Sequence, residues 1–236
     1  MVNVGDNIKA ENASWTFGGS VPKSFDNHVR KSVPLYMEGH HLIVKISDYF
    51  VQDNSLVYEL GTSTGELLKK IADYNKKPSV KFVGVDREAG MLEEAKKKCT
   101  EDKRIRFELS EITEFPLEKC DLILSYYTIQ FVHPKFRQEI ISRIYESLNW
   151  GGAFILFEKV RAPDARFQDI MTGLYTDYKI DQGYSSEEIV SKSRSLKGIL
   201  EPFSTNGNYE MLERAGFKDY MTIMKYVSFE GILAIK

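Results

Sequence analysis

Cysteine is almost missing from this chain: Cys99 and Cys120 are the only two among 236 residues. Two thiols outside a CxxC spacing build neither a disulfide framework nor a structural zinc site, so each is expected to be a small filler at an element end. Long hydrophobic runs are lacking too. None approaches the ~20 residues that cross a bilayer, and "MVNVGDNIKAENASW" has no basic stretch leading into an apolar one, so no secretory leader is expected. A cytoplasmic protein with no membrane partner fits these absences. An excess of charge of one sign is also missing. Lys and Arg total 32 against 34 Asp and Glu, a formal net charge of −2, which gives no pull towards nucleic acid. His40 and His41 follow Gly39 at a helix start and are expected at the surface; a metal site would need a third ligand at proper spacing, so no metal is expected.

What the chain has is a globular composition, 42% hydrophobic and 12% aromatic, and a repeated alternation of strand and helix patterns. "SLVYEL", "VKFVGVD", "IRFELS", the start of "CDLILSYYTIQFV" and "GGAFILFEKV" read as five strands. The helical patterns "GELLKKIADY", "AGMLEEAKKKC" and "KFRQEIISRIYESLN" follow the first, second and fourth of these strands. This order predicts an α/β fold with a Rossmann-like, doubly wound, mostly parallel sheet. Residues 165–200 read as helical, with Ser185 capping a helix before Glu188 and Gly183 closing the one before it. "NYEMLERAGF" is a further helix, and "KDYMTIMKYVSFEGILAIK" a terminal antiparallel hairpin turning near "SFEG". We expect one domain over 1–236, with an N-terminal arm and helix over 1–52 and a helical insertion over 161–202.

Parallel sheets bind ligands beyond the carboxyl ends of their strands. There, "VYELGTSTGELL" places Glu59, Gly61, Thr62, Ser63 and Gly65 in a turn between strand and helix. Gly61 admits close backbone approach and Gly65 lets the helix pack near the turn. The pattern is neither GxGxxG nor a P-loop; a plain packing turn is the competing reading. Asp86, 25 residues past Gly61 at the end of the second strand, is placed to accept hydrogen bonds from two ribose hydroxyls, although such acids also cap helices. The third strand ends in "LSEI", able to frame an adenine edge, and the fourth ends at Ser125 near the reacting end.

Acid before the glycine loop, acid after the second strand, GG before the fifth and a closing hairpin together resemble the class I S-adenosylmethionine-dependent methyltransferases. That family has a seven-stranded sheet whose last strand is antiparallel; Ser63 stands where its motif has a middle glycine. "WTF", "SVPLY", "YFVQ", "TIQFV", "IYESLNWGGAFILFEK", "GYSSEEI" and "AGF" further resemble the carboxy-S-adenosylmethionine synthases. Those bacterial enzymes carboxylate the sulfonium methyl, with prephenate as carboxyl source, to supply a tRNA wobble-uridine modification. The resemblance implies ligand contacts at Tyr36, at Gly61, Thr62 and Ser63, and at Asp86 and Arg87. It sets Ser110 and Glu111 where the family has an Asp-Ile pair beside the adenine, and Ser125 for an asparagine near the sulfonium. It also implies a homodimer, in which an arginine crosses to hold the added carboxylate. Here that place is Ser193, and Arg194, one residue on, is turned by about 100° on a helix.

These residues support the ligand more firmly than the reaction. The favoured reading is a methyltransferase that binds S-adenosylmethionine and acts on a small-molecule acceptor, since the sulfonium already activates its methyl and orientation supplies much of the rate. Tyr126, Tyr127 and His133 after the fourth strand, and Glu158 at the end of the fifth, are the candidate catalytic groups, against a wall role for the tyrosines and a solvated turn before Pro134 for the histidine. No Pro-Cys or N-P-P-Y-like motif follows the fourth strand, which disfavours base methylation. The alternatives are a carboxy-S-adenosylmethionine synthase in which Arg194 does the displaced arginine's work, and a non-catalytic module that retains S-adenosylmethionine or S-adenosylhomocysteine.

Overall fold

The computed structural model describes residues 2–6 and 8–236. The arm contains the short strands β1 (Val2–Asn3) and β2 (Lys9–Ala10), then helices α1 (Val21–Ser32) and α2 (Tyr36–Ser47). The alternating core follows: β3 (Leu56–Leu60), α3 (Glu66–Tyr74), β4 (Lys81–Asp86), α4 (Ala89–Lys98), β5 (Ile105–Leu109), β6 (Cys120–Tyr126), α5 (Pro134–Ser147) and β7 (Leu148–Lys159). Helices α6 (Ala165–Asp181) and α7 (Ser186–Ser195) interrupt it before α8 (Thr205–Ala215), β8 (Asp219–Tyr226) and β9 (Phe229–Ile235).

Seven strands form one sheet in the order β5-β4-β3-β6-β7-β9-β8. β3 pairs in parallel with both β4 and β6, and the chain leaves it in opposite directions across the sheet, so the ligand crevice of a doubly wound fold opens above its carboxyl end. Only β9 runs antiparallel, to β7 and to β8. The central strands are buried on both faces, as unbroken apolar runs predict: Leu67, Leu68 and Ile71 of α3 and Ile43 of α2 pack on one side, and Ile140, Ile141 and Ile144 of α5 with Leu212 of α8 on the other.

The hairpin turns at Val227 and Ser228, at the start of "SFEG" as expected, and Gly231 stands inside β9, where a Cβ would collide with the Phe157 ring. One local expectation shifts. His40 is buried rather than at the surface, because Tyr36, His40, Ile43 and Ser47 fall at helical spacing on the inward side of α2; His41 is exposed. The Ser185–Glu188 capping box is present, and both cysteines are buried, the Cys120 thiol pushed up to about 12 by burial. Such thiols are inert fillers.

Candidate active site

A cavity of about 1200 Å³ opens above the carboxyl ends of β3, β4 and β6. Its floor is the loop after β3. Gly61 has φ +76°, and a Cβ there would run into the Thr128 side chain, so the loop presents bare backbone to the cavity. Ser63 is also left-handed, at φ +52°. That conformation costs an L-residue roughly 1–2 kcal/mol, which gives the physical reason for glycine at this place in the methyltransferase motif. Glu59 lies buried beneath the loop and accepts a 2.6 Å hydrogen bond from the Thr62 hydroxyl. Burial pushes its carboxyl up to about 8, so near neutral pH it ties the turn largely as a neutral acid. Gly65, φ +70°, caps α3 from behind the wall and does not line the cavity.

Asp86 accepts from two backbone donors, Ser63 N–H at 2.8 Å and Glu88 N–H at 2.9 Å. One carboxylate therefore fixes both the β3 loop and the start of α4. A carboxylate offers about four lone-pair sites, so acceptor capacity remains for a diol. Both readings made of Asp86 from the sequence, helix cap and ribose acceptor, are compatible with this geometry. Burial pushes its carboxyl upward, opposed by those two N–H groups. Arg87 and Glu111 approach to 3.7 Å across the rim, each about half exposed, while Ser110 donates its N–H to the Asp86 carbonyl at 3.0 Å. Ile112, the last residue of the "LSEI" stretch, lines the wall beside Glu111.

Three tyrosines make the side wall. The Tyr126 hydroxyl donates to the Tyr36 carbonyl at 2.6 Å, and the Tyr126 ring lies 5.0 Å from Tyr36 and 4.8 Å from Tyr127. Tyr127 sits at φ +59°, its N–H donating to the Phe157 carbonyl. A bulky residue held left-handed at a cavity wall is the kind of strain that marks functional sites, and nothing in the sequence pattern signals it. Burial raises all three phenols, so they stay protonated near neutrality and act as ring faces and donors rather than bases. Side chains alternate along a strand: Tyr126 reaches the cavity, whereas Ser125, one residue earlier, is buried off it with an unpartnered hydroxyl. His133 is exposed at the rim and caps α5, its Nδ1 accepting from Lys135 N–H.

Beneath the wall, burial pushes the carboxyl of Glu158 up to about 8, with Arg137 pulling it back. Its folded value lies above the ordinary 4.5, so its contribution to stability is complete below that pH and is lost as pH climbs to about 8. The melting temperature of Glu158→Gln is expected to fall less across this window than that of the unchanged chain; parallel curves by calorimetry would remove the assignment.

The arm and the insertion roof the cavity. Ala13 and Trp15 donate backbone N–H groups to the carbonyls of Arg194 and Ser195, at 3.0 and 3.1 Å. Asp6 gathers the His28 ring and the Tyr184 hydroxyl, each at 2.7 Å, and Lys31 at 3.1 Å. Lys192 lies over the Trp15 ring. Ser193 and Arg194 both border the cavity despite their different directions on α7.

A floor of bare backbone at Gly61, an acid with spare acceptors at Asp86 and neutral aromatic faces opposite fit an adenosyl sulfonium ligand. Known proteins agree. A methyltransferase-domain model matches residues 57–152. Among curated relatives, the carboxy-S-adenosyl-L-methionine synthase of Staphylococcus epidermidis is 37% identical over 94% of this chain and 97% of its own length. That of Campylobacter lari is 38% identical over 94% of each. Among solved structures, an S-adenosylmethionine-dependent methyltransferase from Aquifex aeolicus superposes with TM-score 0.59 at 15% identity, covering 91% of this chain and 97% of that one. Human N-acetylserotonin methyltransferase in complex with S-adenosylmethionine does so with TM-score 0.56 at 16% identity, over 89% and 58%. The crevice and the relatedness lead to the same conclusion: this chain is an S-adenosylmethionine-dependent transferase of methyltransferase fold, and it belongs to the carboxy-S-adenosyl-L-methionine synthase family.

Proposed function

We propose that the protein carboxylates the sulfonium methyl of S-adenosylmethionine, with prephenate as carboxyl donor, and so feeds tRNA wobble-uridine modification in the cytoplasm. The sequence alone favoured methyl transfer to a small acceptor; relatives named as carboxy-S-adenosyl-L-methionine synthases over nearly the full length favour this alternative. The structural observation behind it is Arg194 at the border of this chain's own cavity, on α7, where the resemblance has the arginine cross from a partner. A neutral methyl acceptor has no need of a guanidinium there. A carboxylate does, since Arg–carboxylate pairs are the strong, charge-assisted kind.

In this reading the sulfonium would acidify its methyl C–H. Prephenate would lose its ring carboxyl as carbon dioxide, together with its hydroxide, and leave as phenylpyruvate. The hydroxide would take the methyl proton to give water, and the methyl carbon would bond to the carbon dioxide. The loop from Gly61 to Ser63 receives the amino-acid end, Asp86 the ribose, and the faces of Tyr36, Tyr126 and Tyr127 accommodate the cationic sulfur through their ring quadrupoles. The roof of arm and insertion excludes water. Mass analysis of a reaction with S-adenosylmethionine and prephenate should show a nucleoside heavier by one carboxyl group. Arg194→Met should suppress it by about tenfold or more, as expected for one charge-assisted contact, while S-adenosylmethionine still binds. Formation at the unchanged rate would remove Arg194 from this role. Ser193 in the arginine's expected place is what keeps methyl transfer as the second reading, and methylated product in its stead would establish that.

We also propose a homodimer formed through α6. Phe167, Ile170 and Leu174 recur at helical spacing and are 52, 51 and 50% exposed, and α6 buries no residue of its own. A stripe of this kind marks an interaction surface. Leu174→Glu is expected to yield monomers by sedimentation with unchanged circular dichroism; a dimer that survives it uses another face.

A further inference from the structure

Two ammonium groups share one ring in the cavity wall. Lys159, the last residue of β7, holds its Nζ 4.4 Å from the centre of the Tyr175 ring, and Lys179, one turn along α6 from that tyrosine, holds its Nζ 4.5 Å from it. Lys159 also faces Phe229 at 5.8 Å. All four residues line the cavity. Among the described residues, neither lysine forms a salt bridge or a side-chain hydrogen bond, although elsewhere Lys69, Lys70, Lys97 and Lys98 each find a carboxylate.

Burial and the like charge of Lys179, then of Arg161, push the Lys159 ammonium down to about 8; burial alone lowers Lys179. Ring faces return less to a cation than the cost of desolvating two like charges side by side. A third group waits at the same place. Ser228, in the turn between β8 and β9, lines the cavity with its hydroxyl buried and unpartnered. Its carbonyl accepts from Val160 N–H at 2.7 Å, which fixes this turn against the residue that follows Lys159. Two donors carrying positive charge, a spare hydroxyl and an aromatic flank make a receptor for an anion with an apolar body.

We propose that Lys159, Lys179 and Ser228 form an anion subsite that takes a carboxylate of the second substrate, an organic acid whose apolar part lies against Phe229 and Tyr175. The identity of this acid as a carboxyl donor rests on the carboxyl-transfer reading; the subsite itself is tested without it. Malonate serves as the probe, titrated calorimetrically into protein saturated with S-adenosylhomocysteine. Lys179→Met, which keeps the apolar stem, is expected to weaken malonate binding at least tenfold, and Lys159→Met likewise. Lys45→Met, which removes a lysine standing over Tyr74 on the exposed side of α2, should leave it unchanged. Should Lys159→Met fail to fold, Lys179→Met decides, because Lys179 is only half-buried on α6. Malonate should also protect both lysines from reductive methylation, read by peptide mass spectrometry. Equal malonate affinity in Lys179→Met and the unchanged chain, or no binding to the unchanged chain, overturns the subsite. Malonate binding lost in the lysine variants, together with no carboxylated nucleoside from the unchanged chain, would leave the subsite standing and remove carboxyl transfer.

Discussion

Replacing Gly61 with valine is expected to lower affinity for S-adenosylmethionine by about a hundredfold or more while the chain still folds. The backbone at this residue, φ +76°, costs a β-branched side chain at least the ~1–2 kcal/mol that any L-residue loses there. The new Cβ would also overlap the Thr128 side chain, which lines the cavity beside the loop. Thr128 precedes the short 3₁₀ turn Ile129–Phe131 that carries the chain into α5, so it cannot swing away without moving the wall. The loop would yield instead, into the space that the ligand needs. Together these terms come to about 3 kcal/mol, which is about a hundredfold in Kd. Calorimetric titration with S-adenosylhomocysteine checks this; a loss of less than about threefold would mean that the loop is not the floor of the ligand site.

Asp86→Asn is the second large effect, and its cause differs. The native carboxylate accepts from Ser63 N–H and Glu88 N–H, at 2.8 and 2.9 Å. An amide has one accepting oxygen and one donating nitrogen, so one of those two contacts becomes donor against donor. Hydrogen bonds to charged groups are worth about 1.5–3 kcal/mol each. The variant loses part of the loop's preorganisation as well as the charged acceptor offered to the ribose, and about a hundredfold loss of affinity is expected for any ligand that carries the ribose, adenosine included. Arg194→Met, in the roof formed by arm and insertion, should leave adenosine binding alone. Equal adenosine affinity in Asp86→Asn and the unchanged chain would show that Asp86 serves only the loop.

The sheet was legible because its central strands are apolar runs bounded by turn residues, and the order of strand and helix restricts the topology to few solutions. The glycine loop and Asp86 were legible for a related reason: their position at strand ends is fixed by chain order. What the sequence pattern hid depends on direction in three dimensions. Ser125 and Tyr126 are adjacent, and only the strand pleat decides that Tyr126 reaches the cavity. The left-handed Tyr127 has no residue-type signal, since glycine or asparagine would be the usual occupant. Lys159 and Lys179 stand 20 positions apart and meet only because α6 folds back over the end of β7. His40 was misplaced because one half of an adjacent pair faces inward on a helix while the other faces out.

Mass spectrometry of the nucleoside released by denaturing the purified protein tests the central claim most directly. The account predicts S-adenosylmethionine enlarged by one carboxyl group. Release of only S-adenosylmethionine or S-adenosylhomocysteine, with no carboxylated species formed even after incubation with prephenate, would contradict it.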